Sequence, residues 1–161
     1  MVIFLTILIT MVYLAGLIKG TLFAGTINKM KKLAKDFLDL TPQRRVIEMH
    51  DYQKAMLVQG VIIAIGSLFW FVIEMILLIN FLGHEYLRYP AALMVVAAFL
   101  KMFSTSKNDK DMFAEGSMSK VVDGAKNVLE IKTRKATMMI FRAFGFGFYM
   151  LSLLILLEVV S

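Results

Sequence analysis

The stretch AMLVQGVIIAIGSLFWFVIEMILLINFL, residues 55–82, decides the class of fold, because it is long, apolar and carries a single charged side chain, Glu74. A helix of about 20 apolar residues is enough to cross about 30 Å of hydrocarbon. Hydrophobic residues make up 59% of the 161-residue chain, and the mean hydropathy is +0.73. Soluble domains use roughly 45–50% apolar residues, so the sequence predicts an integral membrane protein.

Three more apolar segments occur, at residues 2–24, 87–103 and 136–160. With residues 55–82 they predict an all-α, polytopic membrane protein with four transmembrane helices. Segment 87–103 is the weakest of the four, because it covers only about 24 Å. Arg88 and Lys101 must then reach toward their interfaces, and the bilayer must thin locally. Whether this segment spans fully stays open, although the distribution of charge favours a crossing.

Basic residues are concentrated in two parts of the chain, and this concentration predicts the orientation. Sixteen of the 18 Lys and Arg residues lie between Lys19 and Lys54 or between Lys101 and Lys135. With four crossings both parts lie on one side, which the positive-inside rule makes cytoplasmic. We therefore expect both termini outside. The first apolar segment lacks the basic start of a secretory signal, which favours a retained anchor.

Each half of the chain is expected to form one helical hairpin with a cytoplasmic helical extension, all within a single membrane domain of residues 1–161. Thr41 is a good N-cap and Pro42 a good first helical residue. Nothing breaks the helix before Leu82, so it can run for about 61 Å. In the second half, a helix starting at Ser117 or Ser119 is expected to continue into the last span.

The two cytoplasmic segments, residues 25–54 and 104–135, are amphipathic at helical spacing. Such helices can lie on anionic lipid headgroups, pack in a cytoplasmic bundle or dock on a partner, and we favour the bundle. Acidic residues are mixed through both segments, which argues against nucleic-acid binding despite a pI near 9.6. The expected basic surface consists of Lys29, Lys31, Lys32, Lys35, Arg44 and Arg45.

Small and polar residues recur along one face of three of the spans. Such stripes indicate helix packing in lipid, because small residues allow close approach and polar side chains seek partners on other helices. The predicted packing residues are Thr6, Thr10 and Tyr13 on the first span, Gly60, Ser67 and Glu74 on the second, and Arg142, Gly145, Tyr149 and Ser152 on the last.

Glu74 and Arg142 are the charged members of these stripes, and an ionisable residue inside a span is a functional hypothesis by default. If Ala55 and Ala136 mark the cytoplasmic ends of their spans, the heights of Glu74 and Arg142 above the cytoplasmic boundary differ by nearly 20 Å. We therefore expect no pairing between them. Arg142 is expected to snorkel to the cytoplasmic interface, whereas Glu74 is expected toward the outer leaflet.

The sequence contains little that indicates an enzyme. The chain has no cysteine and only two histidines, and it contains no phosphate-binding, nucleophile-elbow or HExxH motif. We predict no catalytic, metal or cofactor site. We expect a non-enzymatic membrane subunit of a bacterial or phage-encoded inner membrane, in contact with the lipid bilayer. It would assemble as a homo-oligomer or with other membrane subunits, and its cytoplasmic helices would be the docking surface. The alternatives are an ion or proton channel or transporter component that uses Glu74, and a holin-like membrane-permeabilising protein.

Overall fold

The computed structural model describes residues 1–105, 117–131 and 136–157, and the regular secondary structure in these ranges is helical. It comprises α1 (Val2–Lys19), α2 (Ala24–Asp39), α3 (Pro42–Leu82), α4 (Arg88–Thr105), α5 (Met118–Leu129) and α6 (Ala136–Leu156). Within the described ranges, α1, α3 and α6 contain segments long and apolar enough to cross a membrane, and α4 is a shorter apolar helix. The predicted all-helical fold is confirmed for this part of the chain.

The longest helix, α3, begins and ends where the sequence predicts. It runs without interruption from Pro42 to Leu82 over 41 residues. The Arg45 backbone N–H donates to the Thr41 carbonyl at 3.0 Å, which closes the first turn. Thr41 and Pro42 are therefore correctly placed as the start signal.

A matching long helix in the second half is not present, and that prediction is wrong. The α5 helix ends at Leu129, and α6 begins at Ala136 as a separate helix. The Ile131 N–H donates to the Val128 carbonyl at 3.3 Å, an i to i+3 bond of the kind that tightens a last helical turn. Residues 132–135, between these elements, lie outside the described ranges.

The chain divides into two compact units, and the first consists of Met1–Leu22, Ser67–Lys101 and Thr133–Ser161. Its buried core is formed by Ile9, Leu77, Leu78, Phe81, Leu87, Ala91 and Tyr149. The closest packing is between α1 and α6, which run antiparallel, since Gly16 lies against Arg142 and Tyr13 against Gly145. A short turn joins α3 to α4, and Leu87 and Ala91 bring the start of α4 into the core.

The second unit consists of Phe23–Gly66 and Met102–Lys132. Its core contains Met30, Ala34, Phe37, Met56, Val121, Ala125 and Val128, which come from α2, α3 and α5. The Phe37 and Tyr52 rings stack with their centroids 4.2 Å apart. The apolar faces of α2 and α5 are thus covered by each other and by α3, as in the bundle that we favoured from the sequence.

Candidate functional site

Glu74 lies within the first unit and accepts hydrogen bonds from two other helices. The Tyr13 hydroxyl on α1 donates to Oε1 at 2.5 Å, and the Tyr149 hydroxyl on α6 donates to the same oxygen at 2.9 Å. One carboxylate oxygen of α3 therefore joins the three long apolar helices.

The second carboxylate oxygen of Glu74, Oε2, accepts no hydrogen bond from any residue that the structure describes. The side chain as a whole is half-buried. Oε2 therefore keeps its full capacity to accept a hydrogen bond from water or from a group outside the described ranges.

Tyr13 reaches Glu74 because α6 has no side chain at Gly145. A Cβ placed on Gly145 would lie 2.6 Å from Cδ1 and 2.8 Å from Cζ of the Tyr13 ring. The ring also packs against Tyr149, with the centroids 5.3 Å apart. The sequence placed Tyr13 on the stripe of the first span and Gly145 and Tyr149 on that of the last span, and the structure brings the three together around Glu74.

The Arg142 guanidinium binds the C-terminal end of α1 rather than Glu74. Nη1 donates to the Gly16 carbonyl at 3.4 Å and also to the Gly20 carbonyl. Gly20 has a φ of 80° and ends α1 in the left-handed conformation, which glycine adopts without steric cost. Arg142 thus donates to carbonyls at the negative end of the α1 dipole, where a cation is stabilising.

No ion pair joins Arg142 to Glu74 in the described part of the chain. The height difference predicted from the sequence, nearly 20 Å, is nevertheless too large. Tyr149, which bonds Glu74, lies seven residues from Arg142 on α6, or about 10 Å along the axis.

The remaining polar residues of the α1 and α6 stripes bond their own helices. The Thr6 hydroxyl donates to the Val2 carbonyl and the Thr10 hydroxyl to the Thr6 carbonyl. Likewise, the Ser152 hydroxyl donates to the Phe148 carbonyl at 2.8 Å. All three are buried residues. Because each hydroxyl proton is donated to a backbone carbonyl of the same helix, these three residues do not extend the hydrogen-bond network of Glu74.

Two other predicted packing residues lie away from this cluster. Ser67 is exposed, and Gly60 is half-buried and belongs to the second unit. Although they share a heptad position with Glu74, helical spacing alone does not make a face buried. The stripe Gly60, Ser67 and Glu74 therefore does not pack as one surface.

The predicted basic surface is only partly open to solvent. Lys29, Lys32, Lys35 and Arg44 are exposed, whereas Lys31 and Arg45 are half-buried. Arg45 donates to the Leu38 carbonyl near the end of α2. Arg45 therefore helps to close the turn between α2 and α3.

Sequence reasoning placed Gly20 on the stripe of the first span and Gly16 at its margin, but it did not identify Arg142 as the group that binds their carbonyls. It missed Gly66, where a Cβ would lie 2.6 Å from Cε1 of Phe23. The available signal was glycine itself within an apolar helix, where it indicates a close contact, but the partner of each glycine could not be read from the spacing.

The chemistry that the structure shows at Glu74 is hydrogen bonding. Among the described residues, no group of three or more His, Cys, Asp or Glu side chains could hold a metal ion.

Comparisons with protein families, curated proteins and solved structures found no match for this chain. Its function must therefore be inferred from its own geometry.

Proposed function

We propose that this protein is a non-enzymatic integral membrane subunit that crosses the bilayer four times and assembles with copies of itself or with other membrane chains. The observation that carries the proposal is the exposed apolar run of α3, which is longer than an upright helix needs to cross the hydrocarbon. The Glu74 cluster acts within one chain, where it holds α3 against α1 and α6.

The directions of α1 and α6 support four crossings. The α1 helix runs antiparallel to α6, since Gly16 lies against Arg142 and Tyr13 against Gly145. If the first and last spans are antiparallel, the number of crossings is even. Since α1, α3 and α6 are each long and apolar enough to cross, a fourth crossing is needed, and α4 is the shorter apolar helix available for it in the described ranges.

The second unit supports an orientation with both termini outside. It combines α2 from the first basic part of the chain with α5 from the second, as expected if both parts lie on the same side. The concentration of Lys and Arg in these two parts favours the cytoplasmic side. We propose an inner membrane of a bacterium, with the gene in the bacterium or a phage.

The apolar run of α3 exceeds the thickness of the bilayer. Residues 55–82 span about 42 Å of helix, whereas a helix tilted by 40° follows a path of only about 39 Å through the hydrocarbon. Leu57, Val58, Val61 and Ile62, near the lower end of this run, are 44–52% exposed. Apolar side chains left outside the hydrocarbon are stabilised by burial against protein.

Gentle extraction followed by mass measurement of the intact complex tests this proposal. We expect the chain to run as an oligomer or with companion proteins, and Glu74→Gln to leave this composition unchanged, because glutamine retains an oxygen acceptor for both tyrosines. A monomer without companions, in detergent and in lipid nanodiscs alike, would refute the assembly function.

Conduction of protons or ions is the second candidate, favoured by the unbonded Oε2 of Glu74 within the helical unit. Reconstituted vesicles would then show a flux that Glu74→Gln abolishes while the protein stays folded. Release of a large entrapped dye would indicate a holin-like lesion instead. Flux that persists unchanged in Glu74→Gln would remove Glu74 from any conduction path.

A further inference from the structure

We propose that Arg142 and Lys19 bind the phosphate group of an anionic phospholipid at the end of α1. These two side chains are here called the phosphate site. Both lie in the first compact unit, which contains Met1–Leu22 and Thr133–Ser161. The inference goes beyond the assembly function, because it assigns a ligand to residues that assembly does not use. It requires only that α1 and α6 cross the bilayer.

The Arg142 side chain is held in place by α1. Its Nη1 donates to the Gly16 carbonyl at 3.4 Å and to the Gly20 carbonyl. The side chain lies across Gly16, since a Cβ there would be 3.3 Å from Cδ and 3.4 Å from Nε of the arginine. The guanidinium is therefore ordered by the protein itself, and this lowers the entropy cost of binding a ligand.

Two of the three guanidinium nitrogens remain available for a ligand. Among the residues that the structure describes, Nε and Nη2 of Arg142 have no hydrogen-bond acceptor. The side chain is half-buried, and donors removed from water without a partner are costly. Two N–H groups of a guanidinium form a planar fork that fits two oxygens of a phosphate. The free donors of Arg142 therefore suit a phosphate group.

Lys19 supplies a second positive charge at the same end of α1. It lies in the last turn of the helix, one residue before Gly20, whose carbonyl Arg142 binds. The Lys19 side chain is exposed, and a long basic side chain can reach along the membrane surface to a headgroup. The carbonyls at this helix end carry partial negative charge, but Arg142 Nη1 already covers two of them.

The phosphate site has no counter-ion within the helices that form it. The α1 and α6 helices contain no Asp or Glu, and no ion pair in the described ranges includes Lys19 or Arg142. Glu74 accepts hydrogen bonds from Tyr149, which is seven residues further along α6, or about 10 Å. Two cations without a partner at a membrane surface attract anionic lipid headgroups.

Exposed apolar side chains beside both cations favour a lipid over a soluble anion. Ile18, which precedes Lys19, is 61% exposed, and Phe141, which precedes Arg142, is 62% exposed. A phospholipid bound through its phosphate places acyl chains next to such side chains. A free phosphate ion makes only the polar contacts.

Native mass spectrometry of the purified protein in detergent tests the ligand class. The protein is titrated with phosphatidylglycerol, which is anionic, or with phosphatidylcholine, which has the same acyl chains and a zwitterionic headgroup. We expect phosphatidylglycerol to bind about fivefold more tightly or better, because attraction to basic residues depends on the net charge of the lipid. Equal affinities for the two lipids would overturn the proposal.

Charge-matched variants test the position of the site. We expect Lys19→Gln and Arg142→Gln each to weaken phosphatidylglycerol binding about fivefold, the effect of one basic residue at an anionic surface. Lys29→Gln on α2 and Arg88→Gln on α4 remove the same charge at exposed positions elsewhere and should leave the affinity unchanged. Equal losses in all four variants would mean diffuse attraction and overturn the site. Because Arg142 also binds α1, Lys19→Gln, which removes no observed contact, decides if the first two disagree.

Inorganic phosphate distinguishes the two sources of the anion. It should not displace bound phosphatidylglycerol, because it lacks the acyl chains that contact Ile18 and Phe141. Displacement would identify a soluble anion as the ligand and overturn lipid binding. These results do not depend on assembly, since a monomer without companions that retains phosphatidylglycerol refutes the assembly function and supports the phosphate site.

Discussion

The Tyr13 hydroxyl lies 2.5 Å from Glu74 Oε1, and the ring that carries it occupies the space above Gly145. The hydrogen bond between α1 and α3 therefore depends on the absence of a side chain at Gly145 of α6. Because Tyr149 donates to the same oxygen from α6, the three helices meet at a single acceptor. A substitution at any of these four residues is expected to disturb the contacts that the other three make.

Replacing Glu74 by alanine should destabilise the protein more than replacing it by glutamine. Alanine leaves both tyrosine hydroxyls without their acceptor, whereas glutamine retains an oxygen that accepts from them. Interhelical hydrogen bonds in membranes contribute about 0.6–2 kcal/mol each, so we expect the loss of both in Glu74→Ala to lower the free energy of unfolding by about 1–4 kcal/mol. Denaturant unfolding in lipid-detergent micelles measures the difference, and equal effects of the two substitutions would contradict the observed contacts.

Gly145→Ala should lower the free energy of unfolding, whereas Gly147→Ala should change it little. The added methyl at Gly145 would overlap the Tyr13 ring, whereas a Cβ at Gly147 meets nothing within 4 Å. Overpacking in a well-packed region costs about 1–3 kcal/mol. Both substitutions replace helical glycine by alanine and so gain the same helix propensity, which makes Gly147→Ala a matched control. Unfolding in micelles gives the comparison, and similar stabilities would show that α1 and α6 do not approach closely at Tyr13.

Arg142→Gln should loosen the end of α1 without unfolding the core of the first unit. The substitution removes a cationic donor from the Gly16 and Gly20 carbonyls, and hydrogen bonds to charged groups contribute about 1.5–3 kcal/mol. Faster amide exchange is expected in the last turn of α1 and at the start of α2, measured by hydrogen–deuterium exchange. Arg88→Gln, at an exposed arginine, is the control and should leave these amides unchanged.

The stability of the second unit should decline between about pH 10 and pH 12 because of Tyr52. Burial raises the pKa of Tyr52 from 10.0 to about 12, so the folded state keeps the phenol protonated where the unfolded chain ionises it. Its stabilising contribution is therefore fully present below pH 10 and is lost as the pH rises toward 12.

Tyr52→Phe retains the ring that stacks on Phe37 and removes the titrating group. Lysines titrate in the same range, so the informative quantity is the difference in unfolding free energy between the natural chain and Tyr52→Phe at each pH. That difference should change with pH only above about pH 10. A constant difference would mean that Tyr52 is not buried against Phe37.

The bounds of α3 could be predicted because they depend on local chemistry. Thr41 and Pro42 favour the start of a helix wherever they occur, and no residue up to Leu82 prevents its continuation. The end of α5 at Leu129 could not be predicted in this way. The residues Val121, Ala125 and Val128 of α5 pack into the core of the second unit, whereas α6 belongs to the first unit. Which core a helix joins is a property of the fold rather than of local sequence.

The composition and order of the residues alone determined that this chain is helical and apolar enough for a membrane, since hydropathy and helical continuity are sums over neighbouring positions. They also marked Tyr13, Glu74, Gly145 and Tyr149 as unusual within apolar helices. Only the tertiary structure decided that these four meet and that Arg142 binds the end of α1, although the sequence had already predicted that Arg142 does not pair with Glu74. A contact between helices depends on their relative height and rotation, and a shift by one turn, about 5.4 Å, exchanges every partner.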